Sequence, residues 1–77
     1  MWCVVECNCD GEIFKPDFFD SKEEAIEFIK DDVAECYENV SDLPEANIFI
    51  ESDGLSATVN TDEYSWGWKA FDISDKI

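Results

Sequence analysis

The chain has 77 residues, with 20 Asp and Glu against five Lys, no Arg and no His, for a formal charge of −15. That length allows a single domain, residues 1–77, near the lower size at which one core outweighs chain entropy without metal or disulfide help. A content of 45% hydrophobic and 14% aromatic residues excludes a disordered acidic tail, which lacks the side chains to bury a core. The charge argues against direct contact with nucleic acid or anionic lipid, since both need clustered cations to displace counterions. A basic partner is expected instead.

Residues 1–9 carry Glu6 and no basic n-region, and no apolar run approaches the length of a signal core or membrane span. A cytoplasmic protein is expected, and its four cysteines (Cys3, Cys7, Cys9 and Cys36) read as thiols of a reducing compartment.

Residues 2–9 alternate, with Cys3, Val5 and Cys7 on one face and Trp2, Val4, Glu6 and Asn8 on the other, the pattern of a strand. Asp10-Gly11 supplies a two-residue hairpin turn, and a second strand is predicted through Glu12, Ile13, Phe14 and Lys15, ending at Pro16. That register sets Cys7 opposite Phe14 and Glu6 opposite Lys15, a favourable cross-strand pair.

Ser21 followed by Glu24 forms a capping box, so a helix is predicted from about Lys22. Ala25, Ile26, Ile29, Val33, Cys36, Tyr37 and Val40 recur at helical spacing and make the stripe that covers a sheet. Ser41-Asp42-Leu43-Pro44 breaks the helix, with Leu43 expected to pack as a plug.

From Asn47 the period returns to two. Ile48 and Ile50 alternate with Phe49 and Glu51, Ser52-Asp53-Gly54 turns the chain, and Leu55, Ala57 and Val59 return. After a turn at residues 60–63, Tyr64 to Ile73 forms the last strand, with Tyr64, Trp66, Trp68 and Ala70 on one face. The predicted order is ββαβββ, an α+β fold in two layers with one helix on a four- or five-stranded, mainly antiparallel sheet.

The acids are unevenly spread. Residues 17–42 hold ten acids and two lysines, a net −8 of the total. Glu23, Glu27, Asp31 and Glu35 follow one another at i,i+4 spacing, with Glu24, Asp32 and Glu38 flanking. Like charges at that spacing cost roughly 0.2–0.5 kcal/mol each, and carboxylates in the C-terminal half oppose the helix dipole. A merely solvated helix alternates Glu with Lys. The acidic face has two readings. It confers solubility, or it presents carboxylates to a Lys/Arg-rich groove in place of phosphates.

The C-x3-C-x-C pattern with a distant Cys36 lies along a strand, unlike the knuckle spacing of structural zinc sites, so buried thiols in the core are expected and no metal is assigned. Cys9, beside the turn, is the cysteine expected to be exposed. Trp2, Tyr64, Trp66 and Trp68 are either core or a hydrophobic contact patch for a partner or a second copy, since Trp and Tyr dominate interface hot spots. An enzyme is disfavoured because His is absent and no nucleophile elbow, phosphate loop or substrate-clamping Arg occurs. No cofactor is expected.

In size, charge and hairpin-helix-sheet layout the chain resembles the small acidic inhibitors carried by phages and mobile elements, the anti-CRISPR and anti-restriction proteins that act as DNA mimics. What the resemblance implies is a mechanism in the cytoplasm of a bacterial host cell. The carboxylates of Glu23, Glu27, Asp31, Glu35 and Glu38 would occupy the basic site where a nuclease complex holds its nucleic acid.

Overall fold

The computed structural model describes residues 1–74. Strands β1 (Trp2–Asn8) and β2 (Asp17–Phe19) precede helix α1 (Lys22–Val40), and β3 (Asn47–Ile50), β4 (Ser56–Asn60) and β5 (Ser65–Asp72) follow it. All pairings are antiparallel, in the sheet order β2-β1-β5-β4-β3. The predicted α+β architecture and its ββαβββ order are those of the structure.

Helix α1 starts where the capping box places it: Ser21 Oγ accepts from the Glu24 amide at 3.2 Å and donates to the Glu24 carboxylate at 3.2 Å. Ala25, Ile29 and Val33 are fully buried and Val40 nearly so, packed on Val4, Ala57, Val59, Trp68 and Ala70 of the sheet. Burial of those side chains stabilises the fold by about 25 cal/mol per Å² of apolar surface removed from water. The core is therefore a single layer between the helix and one sheet face. Leu43 does not plug it; the side chain stays exposed beyond the helix end.

The first hairpin departs from expectation. Its loop has three residues, Cys9-Asp10-Gly11, with the Gly11 amide donating to the Asn8 carbonyl and Gly11 at φ 85°. Asn8 Oδ1 also accepts from the amides of Asp10 and Glu12, which fixes the longer loop. The extra residue moves the pairing near the turn by one, so Cys7 faces Ile13 rather than Phe14. Lys15 consequently loses its place opposite Glu6. The regular second strand forms after Pro16, where Val4 pairs with Asp17 and Trp2 with Phe19.

The helix covers the Trp2, Val4 and Glu6 side of β1, which leaves Cys3, Val5 and Cys7 on the open side. Cys3 is still buried, flanked by its register partners Phe18 and Phe71, but Cys7 is exposed, as is Cys9. The expectation of a shared cysteine core thus fails for Cys7. The thiols of Cys3 and Cys36 lie on opposite sides of the sheet, so the four cysteines do not converge.

Candidate functional site: an acidic helix face and a carboxyl pair

Glu23, Glu24, Glu27, Asp31, Glu35 and Glu38 are all exposed on α1, turned away from the sheet by the same periodicity that buries Ala25, Ile29 and Val33. Glu23 to Glu35 spans about 18 Å of helix at 1.5 Å per residue. Lys30 stands three residues from Glu27, but no lysine stands three or four residues from Asp31, Glu35 or Glu38. The last turn carries no basic residue, so nothing there offsets the negative end of the helix dipole.

Helix α1 holds a net −5 over 19 residues, or about one charge per 6 Å of its length, against about one per 3.4 Å along a single nucleic-acid strand. The helix as a whole therefore has the charge density of a sparse single phosphate row, well below that of a duplex. Glu24 is partly committed to the N-terminal cap. Among the described residues, no hydrogen bond engages the carboxylates of Glu23, Glu27, Asp31, Glu35 and Glu38.

Asp32 does not belong to that face. It is half-buried on the sheet-facing side, where its Oδ2 accepts the indole N–H of Trp68 at 2.8 Å. Trp68 is 2% exposed, so this bond satisfies a donor that burial would otherwise leave unpaired. Position 32 follows Ile29 by three residues and precedes Cys36 by four, which places it in the apolar stripe. That spacing was the available signal.

Glu6 of β1 pairs with Trp68 across the sheet and reaches the same spot. Burial first, then hydrogen bonding to Asp32 and the charge of Asp32, push the Glu6 carboxyl up to about 7. The Glu6 carboxyl therefore keeps its proton up to near neutral pH, which relieves its repulsion with Asp32. Beside them, burial and then the charges of Glu6 and Asp32 push the Cys36 thiol up to about 11, leaving it protonated and weakly nucleophilic. The pair lines a cleft of about 280 Å³ with Glu35, Asn39 and Trp66 at its rim. Among the described residues, no three His, Cys, Asp or Glu side chains converge to hold a metal ion.

The aromatic row is also redistributed. Trp68 lies under the helix, Trp2 and Trp66 pack against the core, and of the four aromatics only Tyr64 is exposed, about half open and tilted 6.1 Å from Trp66. These residues therefore do not form one open patch. The open apolar surface is on the opposite sheet face, where Val5, Cys7, Phe49, Thr58 and Phe71 wall a hollow of about 290 Å³ floored by Gly67. No helix among the described residues is long and apolar enough to cross a membrane.

No protein-family profile, curated protein or solved structure matches the chain.

Proposed function

We propose that the chain is a non-enzymatic inhibitor of a nucleic-acid-handling host protein, a CRISPR effector or restriction nuclease, acting in the bacterial cytoplasm as a DNA mimic. Its acidic helix docks into the basic site that holds nucleic acid. The observation that carries this reading is the exposed row Glu23, Glu27, Asp31, Glu35 and Glu38, arranged against the helix's own stability. A rigid carboxylate row suits Arg-rich grooves because guanidinium makes paired hydrogen bonds to each carboxylate.

The test is competition with DNA. The chain should displace duplex DNA from a target nuclease complex and suppress cleavage, and replacing Glu27, Asp31 and Glu35 together by Lys should abolish both while the circular dichroism spectrum persists. Undiminished inhibition by that triple variant would overturn the reading. A second reading, an accessory module binding through the sheet, draws on the apolar hollow beside Phe49 and Phe71. It predicts that Gly67→Val, which fills the hollow, abolishes partner capture and that the triple Lys variant does not.

A further inference from the structure

The two edges of the sheet are built differently. At β2 the edge is three residues long, contains Asp17 and is flanked by Pro16 and Asp20, all exposed, the devices by which sheets discourage pairing with other chains. At β3 no charge or proline lies between Ala46 and Ile50. Ile48, Phe49 and Ile50 are 40%, 54% and 41% exposed, in a chain where charged residues make up 32% of the sequence.

The backbone of β3 dictates what can add to it. Glu51 donates its amide to the Ser56 carbonyl at 2.9 Å, closing the β3–β4 hairpin. Antiparallel pairing alternates, so residues 47, 49 and 51 direct their N–H and C=O groups at β4, while Ile48 and Ile50 direct theirs outward. No strand lies on that side among the described residues.

We propose that β3 is a homodimer interface, in which β3 of a second copy adds antiparallel to form one continuous ten-stranded sheet. Only one register uses every outward group: Ile48 pairs with Ile50 of the second copy, Ile50 with its Ile48, and the two Phe49 side chains meet on the two-fold axis. It makes four backbone hydrogen bonds, whereas pairing Ile48 with Ile48, or Ile50 with Ile50, makes two. Directly opposed residues share a sheet face, so isoleucine meets isoleucine on the helix side and phenylalanine meets phenylalanine on the open side.

The strand is self-complementary in this register: no charge lies between Ala46 and Ile50 to oppose another, Asn47 faces Glu51 of the second copy, and the flanking Glu45 and Asp53 of the two copies approach one another only at the ends. The two acidic helices come to lie on the same side of the sheet, about five strand spacings or 24 Å apart, well beyond the screening length of about 8 Å at physiological salt. The guarded β2 edges close the assembly at two copies. Three side chains per copy make a small interface, so assembly depends on concentration.

Sedimentation of the full chain across micromolar to millimolar concentration tests this, together with amide exchange resolved by residue. A monomer–dimer equilibrium is expected, with the Ile48 and Ile50 amides gaining protection as concentration rises. Added salt should strengthen the dimer by screening self-repulsion, the opposite of its effect on docking to a basic site, so the two proposals fail separately. Phe49→Lys lowers the net negative charge yet should give a monomer, with the Phe49-position and Glu51 amides still protected as evidence that the hairpin is intact. Ile48→Pro, which removes only an outward N–H, should do the same. A strict monomer, a dimer whose Ile48 and Ile50 amides exchange freely, or assembly continuing beyond two copies would each overturn the proposal.

Discussion

Trp68 of β5 donates its indole N–H to Asp32 of α1 across 2.8 Å, tying the helix to the middle of the sheet through a half-buried carboxylate. Near pH 5, where Glu6 is protonated and no repulsion confuses the result, Asp32→Ala should destabilise the fold by about 1–2 kcal/mol by removing the acceptor that Trp68 engages at 2.8 Å. Asp32→Asn retains an acceptor and should stay within about 0.5 kcal/mol of the parent. Urea unfolding measures both, and equal losses would contradict the assigned bond.

The same pair makes stability depend on pH. The Glu6 carboxyl rises from 4.5 to about 7 on folding, so the folded state binds a proton more tightly than the unfolded chain. That contribution is fully present below pH 4.5 and is lost as pH rises through 7. Because Glu6 is partly open to solvent, screening reduces the effect to on the order of 1 kcal/mol. Glu6→Gln should therefore stabilise the protein by that amount near pH 8 and by nothing near pH 5. A parent that unfolds at the same urea concentration at both values would refute the pairing.

The acidic helix predicts a conflict between stability and binding. Glu38→Lys would place a cation in a last turn that has none, three residues from Glu35 and four from Asp42. A gain of about 0.5–1 kcal/mol is expected from the dipole and the new pairs. Thermal unfolding at low salt should reveal it. No gain would mean that the acid order is not disfavoured after all.

Two glycines at positive φ differ in what surrounds them. A Cβ at Gly54 (φ 75°) would sit 2.9 Å from Ile26 Cγ2, whereas at Gly11 (φ 85°) it meets nothing within 4 Å. Each alanine substitution bears the left-handed strain of about 1–2 kcal/mol, and Gly54→Ala should lose more because Ile26 must also move. Unfolding midpoints falling in the reverse order would count against the contact between turn and helix.

Elements with a strong local signal were legible in the sequence: the Ser21 cap, the Ala25–Val40 stripe, the Asp53-Gly54 turn and the Trp66-Trp68-Ala70 face. Where two answers differed by one residue, local pattern did not decide. Asn8 capping the loop turned a two-residue hairpin into a three-residue one, and the pairing of Glu6 with Lys15 was lost. In β1, Trp2-Val4-Glu6 and Cys3-Val5-Cys7 are equally credible inner faces, and a charged Glu6 argued for the wrong one. Its carboxyl is accommodated inside only because Asp32 and Trp68, distant in sequence, complete the site. The exposed row of Glu23, Glu27, Asp31, Glu35 and Glu38 was readable because helical period alone sets it, while Asp32 left the set through a tertiary bond.

The central claim is that this row stands in for phosphates, and salt dependence of target binding tests it most directly. Measured on a nuclease complex that the chain inhibits, log affinity should fall steeply with log salt. Replacing Glu27, Asp31 and Glu35 by Lys should remove both the affinity and the slope. Binding that is indifferent to salt and survives those three replacements would contradict the account.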